Sequence, residues 1–287
     1  LMQYALDGEV RYRVLSCSEV GITLEGTWTW LKSTYRQRIT FGAHSKRIDF
    51  NLHVDWREDH LMLRTAFDVD VRAMRASYDI AFGVCERSTH TNTSWDEVQF
   101  EVPAHKWVDL SEKTHGVALL SKQSYGYSAK GNTLTLSLLR APTYPSPQAD
   151  RGEHDFSYAL LPHAGGYEQG KVIEEGYALH QSLIAERSEQ VCDKLDDHFS
   201  LVEATGDGVV IETIKKCEER ASLILRLISM AGRDGVCTLR SALAVKQVWI
   251  CNLVEERLEQ LSVAGQMVEI AMKGHEIVSV ELVLNDE

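Results

Sequence analysis

The sequence predicts an all-β fold built from packed sheets. Its apolar residues recur at every second position, glycine-centred turn signals separate the alternating runs, and stretches with a helical period are few. A period of two sends successive side chains to opposite faces of a strand, one toward a core and one toward water. From Arg47 to Trp56, Ile48, Phe50, Leu52, Val54 and Trp56 are apolar and every residue between them is polar. Leu61, Leu63, Phe67, Val69 and Val71 then hold odd positions, interrupted at Thr65. Tyr78, Ile80 and Phe82 alternate, as do Leu134, Leu136 and Leu138 among Thr133, Thr135 and Ser137, and then Phe156, Tyr158 and Leu160. Turns are predicted at Lys130-Gly131-Asn132, Gly206-Asp207-Gly208 and Gly232-Arg233-Asp234-Gly235. Leu223 to Ile228 reads as a strand despite the helix formers between Lys215 and Met230, because strands and D-G turns flank it. Val254 to Leu261 stays open between a short helix and a strand.

A chain of 287 residues can build one large β domain or two small ones, each with a real core. The polar stretch near 186–200 is the expected boundary, giving domains 1–190 and 191–287. The net charge is −12, with basic residues scattered among acidic ones. Nucleic-acid binding needs a basic stripe to neutralise phosphates, and none is present, so nucleic acid and anionic membrane are both disfavoured as partners. No apolar run approaches the roughly 20 residues that span a bilayer. The chain opens Leu1-Met2-Gln3-Tyr4, with no basic and apolar signal-peptide pattern. A start at leucine leads to the expectation that the chain was cut from a longer one. Cys17, Cys85, Cys192, Cys217, Cys237 and Cys251 are far apart in sequence and make no metal-ribbon spacing. They predict free thiols in a reducing cytoplasm.

Read for chemistry, the chain offers little. His53-Val54-Asp55 has the letters of a metal-binding H-x-D, and on a strand both side chains share a face. A metal site needs further convergent ligands, and nothing in the sequence identifies them. The pair therefore reads as the solvent side of its strand. Nucleophile-elbow, P-loop and zincin motifs are absent. Trp56 and Trp249 read as core, and Trp95 and Trp107 stay open. Arg140 to His154 is the unusual segment, a long loop between two clear strands that carries Pro142, Pro145 and Pro147. Loops of this length are functional, or form interfaces, more often than short ones. Arg140, Asp150, Arg151 and His154 are its polar endowment, and the loop reads equally as a site or as a rigid surface turn.

Several long motifs resemble glycoside hydrolase family 38, the α-mannosidases. They include Phe100 to Glu112, Gly116 to Leu120, Tyr125-Gly126-Tyr127, Leu138 to Pro142, Ala149 to Phe156 and Tyr158 to Gly165. Val54 to Glu58 and Glu86 to Trp95 also fit, and Val209 to Lys216 and His275-Glu276-Ile277 fit more loosely. The likeness runs from about Val10 onward and is of the cytosolic and bacterial kind. The sequence departs from the family's pattern at Lys273-Gly274-His275 and at Ser124-Tyr125.

The resemblance implies the family's C-terminal β region, a galactose-mutarotase-like supersandwich followed by smaller β-sandwich strands. It implies a parent enzyme that is a zinc-dependent, retaining α-mannosidase acting on terminal α-linked mannose in the cytoplasm. The zinc ligands and the nucleophile would lie in an N-terminal catalytic domain, backed by a helical domain, and no stretch here matches them. The expectation is therefore no catalytic residue, no metal ligand and no cofactor in this chain, which alone would be inactive. Its partners would be the catalytic and helical domains of the same polypeptide and mannosides, with homo-oligomerisation left open. Arg140, Asp150 and Arg151 match the loop expected at the sugar-site rim or domain interface, and His154, His163, Tyr125 and Tyr127 are weaker candidates. His105 and Trp107 read as structural. Two alternatives remain: a free-standing carbohydrate-binding or scaffold module, and a mutarotase-like enzyme whose histidine and carboxylate converge on one sheet face.

Overall fold

The alternating run ending at Trp56 forms a strand whose even residues Leu52, Val54 and Trp56 are buried, as its pattern requires. The computed structural model describes residues 5, 10–181, 183–187, 199–230 and 232–285. Most of the boundary segment expected near 186–200 lies outside them. The chain folds as two units, residues 1–80 with 85–182 and residues 81–84 with 183–287. Both are built almost wholly of strands, so the all-β class is observed.

The first unit contains β1 (Tyr12–Ser18), β2 (Gly21–Trp30), β3 (Ser33–Gly42), β4 (Ile48–Trp56), β5 (Leu63–Asp68), β6 (Arg75–Ile80) and β7 (Gly83–Ser88, which begins in the second unit). A short helix α1 (Ser94–Val98) follows, then β8 (Val102–Pro103), β9 (Trp107–Ser111), β10 (His115–Ser121), β11 (Gly126–Lys130), β12 (Thr133–Leu139), β13 (Gly152–Ala164) and helix α2 (Val172–His180). Among the described residues the strands form a nine-stranded sheet, ordered β1-β2-β3-β4-β13-β10-β9-β6-β7, and a four-stranded sheet, ordered β5-β12-β11-β8. The core between them takes Leu52, Val54 and Trp56 from β4, Val108 and Leu110 from β9, and Leu134 and Leu136 from β12. Phe50 packs on Phe67 of the facing sheet at 5.4 Å between ring centroids, and stacks on Tyr158 at 5.3 Å.

Three details depart from simple alternation. Phe82 is not in the strand with Tyr78 and Ile80. It occupies the turn after β6 with φ +59, a conformation set by the chain reversal. A bulge between Ser137 and Leu139 brings Leu139 inward as well as Leu138. Helix α2 was not anticipated. It lies on the outer face of the larger sheet because Gly176 has no side chain: a Cβ there would sit 2.8 Å from Cδ1 of the buried Trp107. Tyr167 stacks on the same indole at 5.4 Å, so Trp107 is structural.

The second unit contains β14 (Val202–Thr205), β15 (Val209–Lys216), β16 (Leu223–Ser229), β17 (Gly235–Ser241), β18 (Val245–Cys251), β19 (Arg257–Leu261), β20 (Met267–Met272) and β21 (Ile277–Leu284). Sheets β14-β17-β20 and β15-β16-β21-β18-β19 enclose a core that includes Leu225, Leu227, Cys237, Val248 and Val280. The segment from Val254 to Leu261 is a turn followed by β19, not a helix. Trp249 is half-buried beneath the Arg257 guanidinium, 5.0 Å from its ring centroid, and is not a core residue.

A carboxylate organises this unit. Glu281, with a fully buried side chain, accepts from Arg220 Nε at 2.9 Å, Arg257 Nε at 2.8 Å and Ser222 Oγ at 2.6 Å. Burial alone would raise its pKa, but the hydrogen bonds from Arg257, Arg220 and Ser222 overcome that and bring it to about 2. An unfolded glutamate titrates near 4.5. The stabilisation is therefore complete above about pH 4.5 and is lost as pH falls toward 2. Glu281→Gln is expected to cost about 3 kcal/mol at neutral pH, the low end for a broken buried pair. The low end applies because the arginine side chains are 31% and 32% exposed and can reach water. Urea titrations between pH 2 and 7 check this: the variant should lose part of the acid dependence below pH 4.5 as well as the stability.

Candidate functional site

The register of β4 against β13, from Trp56–Gly152 to Ile48–Leu160, brings two loops to one end of the first unit. These are residues 57–62, after β4, and residues 140–151, before β13. The β2–β3 turn at Leu31 and Lys32 lies there too, because Thr34 pairs with Asp55. Tyr125 joins them just before β11, since Gly126 pairs with Ser137 near the end of β12.

Each loop is held by named contacts. The buried Glu58 accepts from Lys32 N at 2.7 Å and Ser33 Oγ at 3.0 Å, tying the β2–β3 turn to the segment after β4. The Asp150 carboxylate accepts from Ala141 N at 2.7 Å and Arg140 N at 3.2 Å, closing the long loop across its neck. His154 Nε2 donates to the Asp150 carbonyl at 2.8 Å, which places the proton on that nitrogen, and its ring stacks on Phe156. Arg151 forks onto Asp59, with Nε at 3.0 Å from Oδ1 and a second bond to Oδ2. Hydrogen bonding to Arg151 holds the Asp59 carboxyl below its ordinary range. Ala141 and His60 both adopt left-handed backbone, φ +52 and +55, and His60 N donates to the Ala141 carbonyl at 2.9 Å. Side chains with a Cβ resist this conformation, and such strain concentrates at functional loops.

Arg140 is exposed at the neck of this loop, and its guanidinium has no hydrogen-bond or ion-pair partner among the described residues. The structure thus brings together Arg140, Asp150, Arg151 and His154, with the exposed Tyr125 at the same end, 6.3 Å from the His105 ring in an edge-on contact. Asp59, His60 and Glu58 complete the cluster, and sequence reasoning missed Asp59 and His60 as its members. Their signal was position alone, directly after the V-D-W-R-E run.

Two candidates are not at a surface. Tyr127 is fully buried, its hydroxyl donates to the His105 carbonyl at 3.3 Å, and burial pushes its pKa far up. It points inward because the alternation along β11 turns it to the core. His163 is buried between Gly116 and Gly170, with Nε2 2.7 Å from Asp109 Oδ1. Burial alone would lower its pKa, but the Asp109 hydrogen bond and charge, with backbone carbonyls, outweigh it and leave it raised. Neither residue presents an atom to a rim, so both are corrected to structural roles.

His53 and Asp55 do not form a metal site. His53 Nδ1 lies 2.9 Å from Asp155 Oδ1 on the paired strand, and Asp55 is paired with Arg57 at 2.9 Å. No group of three potential ligands converges among the described residues, and His53 and Asp55 are each engaged elsewhere, so these two do not fit a zinc ion. The His53–Asp155 pair is also a poor acid–base couple, because the Asp155 side chain is 84% exposed and hydrated. No helix among the described residues is long and apolar enough to cross a membrane.

Asp150→Ala frees two backbone N–H groups and is expected to cost about 1–3 kcal/mol. Hydrogen exchange should quicken across residues 140–151 while the cores keep their protection. Unchanged exchange in that loop would show that the carboxylate does not hold it.

Comparison with known proteins places the chain. Residues 5–148 match the family model of the glycosyl hydrolases family 38 C-terminal domain, and residues 208–280 match that of the glycosyl hydrolases family 38 C-terminal beta sandwich domain. Alpha-mannosidase 2C1 of Mus musculus is 37% identical over 257 residues, which is 88% of this chain and 24% of the mouse protein. Alpha-mannosidase G of Dictyostelium discoideum is 38% identical over 224 residues, 77% of this chain and 21% of the relative. The chain thus spans about a quarter of the length of such relatives. The crystal structure of an alpha-mannosidase from Enterococcus faecalis V583 shares the fold, with a TM-score of 0.81 at 15% identity over 96% of this chain and 35% of that one. The chain belongs to glycosyl hydrolase family 38, of which it carries the C-terminal domain and the C-terminal β-sandwich domain.

Proposed function

We propose that this chain is the non-catalytic β region of a zinc-dependent, retaining α-mannosidase that removes terminal α-linked mannose. In this reading it packs on a catalytic domain carried by the same polypeptide, and the nucleophile and zinc ligands belong to that other part. The supersandwich is assigned to residues 1–190 and the smaller sandwich to 191–287. The described cysteines are free thiols, which supports a cytoplasmic setting.

Arg140 carries the site assignment. It is an exposed guanidinium without a partner among the described residues, on a loop whose backbone is tied down by Asp150 and by the Arg151–Asp59 pair. A guanidinium offers five donors in a rigid fork, suited to vicinal sugar hydroxyls or to a carboxylate of the facing domain. Exposed Tyr125 and Tyr144 at the same end add aromatic surface of the kind enriched at rims and interfaces. Asp150, Arg151 and His154 act through the loop, by holding Arg140 in place.

Two measurements test the reading. The purified chain should release no nitrophenol from an aryl α-mannoside, with or without zinc, and measurable zinc-dependent release would overturn the non-catalytic assignment. In the full-length parent, Arg140→Ala should lower kcat/KM several-fold or more. An unchanged value would remove Arg140 from the site.

A further inference from the structure

The first unit has an open apolar face at one edge. Its larger sheet has nine strands among the described residues and its smaller sheet four. The smaller sheet ends at β5, and Phe67 of that strand packs on Phe50 of β4. β1, β2 and β3 extend beyond this point. Their core-side residues follow from the register: Val14 pairs with Leu24, Leu24 with Ile39, and Ile22 with both Cys17 and Phe41. Tyr35, farther along the same face of β3, is buried in the core, so this face is the inner one. Yet no residue of β1 or β2 is among the fully buried core residues. Every residue of β1 is exposed, Val14 is 59% exposed and Phe41 39%. The opposite face of the same strands is polar and internally satisfied, with Glu25 between Arg13 and Arg38 at 2.6 and 2.9 Å.

Apolar side chains on the core side of a sheet are stable only when something covers them. Among the described residues the edges of β1 and β5 that border this face are unpaired, and an unpaired edge is a template for another strand. The relatives supply a source for the cover. They are about four times as long as this chain, and the matching model describes a C-terminal domain, so most of their length precedes the matched part. Ala5, in the stretch before β1, already packs against this core, as do Trp28 and Trp30 of β2, so preceding polypeptide would meet the unit on the same side.

The geometry points to a β-strand segment from the upstream polypeptide as the missing cover. It pairs with the free edge of β5 and, with further strands added beside it from the same polypeptide, extends the smaller sheet across β3, β2 and β1 and buries Val14, Ile22, Leu24, Ile39 and Phe41. This rests on the reading of the chain as part of a longer polypeptide and adds the surface and the kind of structure that meets it.

The test compares the 287-residue chain with the same chain carrying all coding sequence upstream of residue 1 in its own gene. Hydrogen exchange read by mass spectrometry needs no substrate, so its outcome is separate from that of the mannosidase assays. Amides of β1 and β5 should exchange about tenfold more slowly, or slower still, in the longer protein. Val14→Lys and Phe41→Lys should leave the melting temperature of the short chain nearly unchanged and lower that of the longer protein by several degrees. Equal exchange in the two proteins, or a gene without upstream sequence, overturns the proposal. So does a short chain that dimerises with β1 and β5 protected, since a second copy would then be the cover.

Discussion

The pairing of β4 with β13 is the constraint from which the first unit follows. Nine consecutive residue pairs run from Trp56–Gly152 to Ile48–Leu160, joining segments about a hundred residues apart. Because side chains alternate with a period of two, a slip of one residue would move Leu52, Val54 and Trp56 from the core to water. Burying such side chains contributes about 1.5–3 kcal/mol each, so the register is strongly specified. The same pairing sets the end of β4 beside the start of β13. The loops carrying Asp59, His60, Arg140 and Arg151 are neighbours for that reason, and no local preference of either loop is needed to bring them together.

Polar groups play different parts in the two units. In the second, the buried Glu281 is matched by two arginines and a serine, so its charge is fully satisfied within one sheet and the adjoining turn. In the first, the buried His163–Asp109 pair lies under the segment leading to α2, where Gly116 and Gly170 leave room for the ring. Both arrangements order the fold. At the loop cluster the balance differs: Asp150 and Arg151 spend their interactions on the backbone and on Asp59, and the Arg140 guanidinium has no partner among the described residues.

The strand from Ile48 to Trp56 was legible because burial on one face leaves its mark at every second residue, and Leu223 to Ile228 because strands and D-G turns flank its apolar run. Helix α2 was not, since its small buried face of Val172, Ile173 and Gly176 is too short to register as a period. Tyr127 and His163 were misplaced for a related reason. A motif tells that a residue matters without telling which face of its strand it occupies. Asp59 and His60 were overlooked because their importance comes from a partner loop some 80 to 90 residues away.

Sequence alone determined the all-β class, the strands around residues 48–56, 63–68, 75–80, 133–139, 152–164 and 223–229, and the family likeness, because alternation, turn chemistry and long motifs are local and survive in one dimension. Only the tertiary structure decided that Arg140 has no partner among the described residues while Arg151 is paired, that Tyr127 faces inward, and that Val14 and Phe41, on the core side of β1 and β3, are exposed. These are facts of register and of sheet size. They arise from pairing between distant strands, which sets each side chain's neighbours and its access to water.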